Sequence, residues 1–298
     1  MKKEILNIET VHQCNCCLGN KTLHPLVSVI DLSKNELTQQ AMRFDFYTVL
    51  LLEDQTGNSL FGRKYYDYSN ASLIFLTPGE SIQINKDHLV SSKGRLLVFH
   101  PDLLCYTALG QHITDYTFFN YLTNEALHLS LREKNKAMEC LCCIEQELCH
   151  PLDCHSKTLI TRYIELFLDY CTRFYDRQFI TRNEENQRIV KKMDTLLDEY
   201  IKSGELKDIG LPSAEYCAKQ LKISTHYFND LLKFETGKNL YEYFQLKRLD
   251  ISKQMLLDKN NTVSIVVEEL GYPNIQYFSW LFKKITGIAP ADYRFSQN

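Results

Sequence analysis

One segment of the chain occurs twice. Phe228-Asn-Asp-Leu-Leu-Lys-Phe-Glu-Thr-Gly237 and Phe278-Ser-Trp-Leu-Phe-Lys-Lys-Ile-Thr-Gly287 share Phe, Leu, Lys, Thr and Gly at an offset of 50 residues. Upstream, Ala218-Lys-Gln-Leu221 matches Val267-Glu-Glu-Leu270 at an offset of 49. Self-similarity at a fixed period means the same supersecondary unit is built twice. Each copy predicts a short helix (213–221 and 263–270), a tight turn, and a second helix (225–235 and 275–285).

The turn chemistry supports that reading. Ser224 and Asn274 stand where a side-chain oxygen can accept from an orphan N–H of the second helix. Gly237 and Gly287 stand where a helix ends in a left-handed residue. A small or β-branched residue at 218 and 267 lets the paired helices cross closely. Two helices joined by three or four residues form a helix-turn-helix. A long helix over 240–257 would hold the copies at fixed separation, so that two recognition helices enter major-groove segments about 34 Å apart. Helical hairpins also occur as plain packing units; two copies with matching caps and glycines favour DNA.

The 298 residues suffice for two domains, and 44% hydrophobic content for two cores. The net charge of −3 gives no gross basic bias. The opening MKKEILNIET has no apolar run behind it, and no stretch of about 18 apolar residues spans a bilayer. These features place the chain in the cytosol, with no membrane partner. Eleven cysteines in such a chain are expected to be free thiols, mostly packed as small hydrophobes.

The expected fold class is α+β. Residues 1 to about 125 read as β-rich, with short apolar runs at 26–30, 46–52, 72–76, 82–84 and 96–99. Thr56-Gly57-Asn58, Pro78-Gly79 and Lys93-Gly94 mark turns between them. Strands at this spacing suggest a sandwich or small barrel. Two long helices follow over 134–148 and 157–175. Ile160, Ile164, Phe167, Leu168 and Cys171 form one apolar stripe on the second, suited to a partner helix. The polar stretch ITRNEENQ, 180–187, loses its apolar period and marks a boundary. The domains are therefore set at 1–180 and 188–298, the latter all helical.

The C-terminal stretch resembles the DNA-binding domain of the AraC/XylS transcription regulators. Gly271-Tyr-Pro-Asn-Ile-Gln-Tyr-Phe278-Ser-Trp-Leu-Phe282-Lys283-Lys-Ile-Thr-Gly287-Ile-Ala-Pro290-Ala-Asp-Tyr293-Arg294 carries that family's G-[FY], Y-F, F-K-K, G-x-x-P and Y-R elements in register. The resemblance covers about residues 189–294. It implies base contacts from Thr225, His226, Asn229 and Asp230 in the first copy, and from Asn274, Ile275, Gln276, Ser279 and Trp280 in the second. Asn and Gln suit adenine edges, and Ile275 suits a thymine methyl. Lys233, Lys238, Lys283, Lys284 and Arg294 suit phosphates.

Some residues depart from the family pattern. Trp280 stands where the family usually has arginine, and Val267 replaces the customary alanine. Asp230 stands at a position that is often polar or basic. Residues 196–298 hold 13 Lys+Arg against 13 Asp+Glu, so the domain is neutral overall. Phosphate attraction dominates nonspecific affinity, which points to a dimer as the binding species.

Asp45-Phe46-Tyr47 and Leu73-Ile-Phe-Leu-Thr-Pro78-Gly79-Glu80 resemble the cupin-like sensor barrel of the same regulators, with the long helices corresponding to dimerisation helices. The resemblance implies double-stranded DNA, a second copy of the chain and RNA polymerase as partners, with a small-molecule effector of unspecified identity. Histidines are missing from the positions around Asp45 and Glu80 where a cupin metal would want them. No metal, cofactor or catalytic residue is therefore expected.

Three further features bear on function. Cys140, Cys142, Cys143, Cys149, His150, Cys154 and His155 could supply zinc ligands or a thiol switch; cysteines on an apolar helix face and exposed histidines explain them more simply. Cys14, Cys16 and Cys17 are expected in a loose tail. Phe44, Phe46, Tyr65, Tyr66 and Tyr68 could line a barrel and stack a ligand, or simply pack. No nucleophile elbow, phosphate-cradling glycine loop or paired-carboxylate motif points to an enzyme. The competing readings are a cupin-type enzyme or storage domain, and an interaction module whose helical domain has lost DNA binding.

Overall fold

A computed structural model describes residues 5–34, 41–53, 60–83, 93–258 and 260–296. The chain divides into two compact units, Met1–Asn183 and Glu184–Asn298. It is mixed α+β, with a β-rich N-terminal region and a helical C-terminal region.

Among the described residues the N-terminal unit holds eight strands: β1 (Leu6–Ile8), β2 (Val27–Asp31), β3 (Ala41–Phe44), β4 (Tyr47–Leu52), β5 (Ala71–Leu76), β6 (Ser81–Gln83), β7 (Gly94–Phe99) and β8 (Leu127–Leu129). Five form an antiparallel sheet in the order β2-β7-β4-β5-β8; β1, β3 and β6 form a second sheet in which β1 runs parallel to β3. One core draws Ile8, Met42, Phe44 and Ile82 from the small sheet and Ile30, Leu50, Ile74, Leu96 and Val98 from the large one. The opposite face of the large sheet is also covered, with Phe75 4.5 Å from Phe118 and 6.2 Å from Tyr175 between ring centroids. Burial on both faces explains why β4 and β5 are continuous apolar runs rather than alternating ones.

The α-helices among the described residues of this unit are α1 (Val11–Cys17), α2 (Pro101–Leu104), α3 (Ala108–His112), α4 (Leu131–Leu148) and α5 (Ser156–Thr181). Three expectations are corrected here. The segment carrying Cys14, Cys16 and Cys17 is a helix capped by Thr10, not a loose tail, and its buried Asn15 accepts from Ser28 Oγ at 2.8 Å. Residues 101–125 form short helical turns, not strands. The stripe from Ile160 to Cys171 is fully buried, and its partner helix lies in the same chain: α5 packs on α4 and on β8. Only Cys14, Cys140, Cys171 and Cys217 of the eleven free cysteines are buried, so most do not pack. The turn at 56–58 lies outside the described residues.

The division between the two units, between Asn183 and Glu184, falls within the stretch 180–187. That stretch is helical apart from a break at Arg182, where α5 ends, and α6 (Asn183–Lys202) begins at once. Glu184 and Glu185 lie in the first turn of α6, where the positive end of the helix dipole favours acids. Asn186 is fully buried, and its Nδ2 donates to Glu235 Oε1 at 2.9 Å. A polar composition hid the helix because its buried contacts are hydrogen bonds. At the end of α5, Arg182 Nε and Nη2 donate to both Asp67 carboxylate oxygens at 2.8 and 2.6 Å, joining that end to the loop before β5.

Candidate nucleic-acid interface

The C-terminal unit continues with α7 (Glu205–Asp208), α8 (Ala214–Leu221), α9 (Thr225–Thr236), α10 (Leu240–Leu257), α11 (Val263–Glu269), α12 (Ile275–Thr286) and α13 (Pro290–Ser296). The duplicated segments are two short-helix, long-helix pairs, α8–α9 and α11–α12. Ser224 Oγ accepts from the Tyr227 N–H at 3.1 Å, and Asn274 Oδ1 accepts from the Tyr277 N–H at 2.7 Å. Gly237 and Gly287 close the two long helices at φ +68 and +81.

Each pair sits on its own core. Cys217, Ala218, Phe228 and Leu232 pack with Met193, Leu197, Leu240 and Phe244. Val266, Val267, Phe278 and Phe282 pack with Leu249, Leu256, Leu270 and Tyr272. The 18-residue α10 feeds Leu240 and Phe244 into the first core and Leu249 and Leu256 into the second. At 1.5 Å per residue it is about 27 Å long, a rigid spacer between the pairs. Lys247 fixes it to α6 through Asp194 at 3.3 Å and Asp198 at 3.0 Å, and Tyr243 donates its hydroxyl to Asp194 at 2.8 Å.

With Phe228 and Leu232, or Phe278 and Phe282, facing inward, helical spacing turns His226, Asp230 and Lys233, or Gln276, Trp280 and Lys283, outward, while Thr225 and Ile275 sit at the open first turn of each helix. On α9, His226, Asn229 and Lys233 are exposed and Thr225 and Asp230 half-buried. On α12, Ile275, Gln276, Trp280, Lys283 and Lys284 are exposed, with Ser279 half-buried; Asn274 is exposed at the cap. The expected residues thus lie along the first three turns of each long helix, most of them exposed. Lys238 lies in the turn after α9, half-buried, its Nζ 3.3 Å from the Thr236 carbonyl. The side chain of Arg294 is outside the described residues.

Residues 217–296 match the family model described as a helix-turn-helix domain. The C-terminal unit carries an AraC-type helix-turn-helix domain. The chain is a DNA-binding transcription regulator. It is 25% identical over 230 residues to the probable transcriptional regulator LumQ of Photobacterium leiognathi, covering 75% of this chain and 82% of that one. It is 38% identical over 68 residues to the HTH-type transcriptional regulator YobQ of Bacillus subtilis, covering 23% of this chain and 28% of YobQ. Among solved structures it is similar to an AraC-type DNA-binding regulator from Chromobacterium violaceum, at 18% identity and a TM-score of 0.33, covering 37% of this chain and 93% of that one.

The even charge count of the AraC-type domain conceals a segregation. Three of its 13 acids are held by two lysines, Asp198 by Lys247 and Glu268 and Glu269 by Lys207, and Lys247 also takes Asp194. Glu235 accepts from Asn186 and, at 2.6 Å, from Gln187. Among the described residues Lys233, Lys283 and Lys284 are in no ion pair, and all three are exposed on the outward faces. Their charge is available to an anionic partner.

Sequence reasoning missed the joint between α10 and the second pair. Arg248 is buried on α10 with its guanidinium 3.9 Å from the Tyr272 ring centroid. It also missed that Lys222 takes the left-handed conformation in the first turn, φ +59, where Gly271 takes it in the second, φ +62. The offset of 49 pairs the two positions, but a lysine gives no local sign of that backbone.

In the N-terminal unit the five aromatics proposed as a ligand lining do not converge. Phe44 and Phe46 are core residues, whereas Tyr65 is 95% exposed. Among the described residues no His/Cys/Asp/Glu group could hold a metal ion. Cys140 is buried, whereas Cys142, Cys149 and Cys154 are exposed. No helix of the described chain is long and apolar enough to cross a membrane.

Proposed function

We propose that the chain is a one-component regulator that binds DNA as a homodimer through two helix-turn-helix units per copy, with α9 and α12 in successive major-groove segments. Thr225, His226, Asn229 and Asp230 on α9, and Asn274, Ile275, Gln276, Ser279 and Trp280 on α12, face the bases. Lys233, Lys238, Lys283 and Lys284 face phosphates. The observation that carries this reading is the repetition of one capped helix pair on two cores joined by a rigid α10.

The β-rich unit is read as a cupin-like sensor, and α4 and α5 as the elements that bring two copies together. Because the inward stripe of α5 is consumed inside the chain, the pairing face is its outer side, where Leu159 and Leu166 are exposed. An effector in the barrel would act through a coupling free energy between that site and the spacing of the DNA-binding units, and so set whether RNA polymerase is recruited or blocked.

The test is selection of duplexes from a random library by the full-length chain, followed by sedimentation of protein alone and with the enriched duplex. Enrichment of a repeated motif and two chains per duplex is expected. A library that stays random after selection overturns the reading and leaves the outward faces to a protein partner.

A further inference from the structure

The two long helices have equivalent frames and different outward chemistry. The 50-residue offset pairs Thr225 with Ile275, His226 with Gln276, Asn229 with Ser279, and Asp230 with Trp280. Both helices are 12 residues long, begin at a capping oxygen and end at a left-handed glycine. Equivalent frames put these pairs at equivalent depths in whatever the helices enter. At two of the four positions a hydrogen-bonding side chain is replaced by a large apolar one.

Those two apolar side chains are outside the core. Ile275 is 42% exposed and Trp280 is 56% exposed, whereas Phe278 and Phe282 on the same helix are fully buried. The indole is held in place from both sides along the helix. Lys284 Nζ lies 4.8 Å from its centroid and the Tyr277 ring 6.2 Å. Attraction of the ammonium to the ring face fixes both groups, so the tryptophan offers an ordered apolar plane with a cation at its rim. Lys283 lies beside it on the same face, and Gln276 stays between the two apolar groups. An apolar surface flanked by lysines and a helix N-terminus matches a partner that is anionic at its edges and apolar within.

The major groove offers an apolar group only where a base carries a C5-methyl. We propose that α12 reads C5-methyl groups, those of thymine first, through Ile275 and Trp280, while α9 reads its segment through polar groups. The two segments of the binding site then differ in kind. This rests on the reading of α12 as a DNA-contacting helix.

The test uses the full-length chain and the duplex it enriches from a random library. Each thymine in turn is replaced by deoxyuridine, which removes the methyl and leaves the hydrogen-bonding edge unchanged. Loss of one buried methyl contact predicts about a fourfold weakening. The expected result is weakening at thymines of one segment only, abolished by Ile275→Ala or Trp280→Ala and untouched by Asn229→Ala. Both apolar residues are exposed, so the variants keep their core, and circular dichroism checks this. An enriched motif with no deoxyuridine position beyond twofold overturns the methyl readout while leaving DNA binding intact. Failure to enrich any motif overturns the DNA reading itself.

Discussion

The guanidinium of Arg248 lies 3.9 Å from the centre of the Tyr272 ring, both side chains being buried. Nε and Nη2 of Arg248 and the hydroxyl of Tyr272 have no hydrogen-bond partner among the described residues. Burial pushes the Tyr272 phenol up to about 12 and lowers the arginine. The ring face is thus the main compensation for a buried cation. It ties α10 to the turn that aims α12.

Arg248→Met and Tyr272→Ala are expected to differ in sign. Replacing a buried charge with an apolar chain of similar size is neutral or stabilising. Removing the ring leaves the charge uncompensated and opens a cavity, at a cost of about 3–5 kcal/mol. Urea unfolding followed by fluorescence reads the C-terminal unit, because Trp280 is the chain's one tryptophan. A large loss in Arg248→Met would show that the cation, not the ring, holds the joint.

The paired turns predict opposite outcomes for one backbone conformation. A Cβ on Gly271 would lie 2.9 Å from the Leu206 carbonyl oxygen, at φ +62. Gly271→Ala combines a backbone clash with left-handed strain and should cost about 2 kcal/mol or more. Lys222 already bears that strain, so Lys222→Gly should gain up to about 1 kcal/mol. Unfolding midpoints of the two variants check this, and movement in the same direction would refute it.

Ser224→Ala and Asn274→Ala each remove an N-cap acceptor and should cost about 1 kcal/mol. Ser224→Asp and Asn274→Asp should restore most of it. Only the cap, not base contact, affects unfolding without DNA, so failure of both aspartates to rescue would mean the caps do not fix these helices.

His128 gives the N-terminal unit a pH dependence. Its ring is buried against Ser72 Oγ at 2.9 Å. Burial first, then the charges of Arg182, Arg63 and Arg177 against an opposing Asp67, lowers its pKa to about 4. The unfolded imidazole takes its proton near pH 6.5, so the unfolded state binds more protons between those values. Stability is full above about pH 6.5 and falls as pH drops toward 4, by about 3 kcal/mol at most. Urea unfolding by circular dichroism at pH 7.5 and 5 should show a larger loss in the wild type than in His128→Gln. Equal losses would assign the pH dependence to other groups.

The C-terminal half was legible because its signals are local. Ser224, Asn274, Gly237 and Gly287 each act within four residues of themselves, so spacing alone located α9 and α12 within a residue or two. The 240–257 helix was read with its observed ends. The β-rich half depends on distant partners. Runs at 46–52 and 72–76 announced β4 and β5, but the three-residue β1 is a strand only because β3 lies beside it, with Ile8 opposite Phe44. The same limit hid Asn186, whose burial depends on Glu235 far along the chain. Of the outward residues, types and faces were readable; the ordering of Trp280 by Lys284 was not, since it depends on rotamers.

The most direct test of DNA recognition by the outward faces of α9 and α12 is the affinity of the full-length chain for its enriched duplex and a scrambled one between 50 and 200 mM salt. The account predicts tighter binding to the enriched duplex, falling steeply with salt. It also predicts a log–log slope that is shallower by about two when Lys283 and Lys284 are both changed to Gln. Equal, feeble and salt-insensitive binding to both duplexes would contradict it.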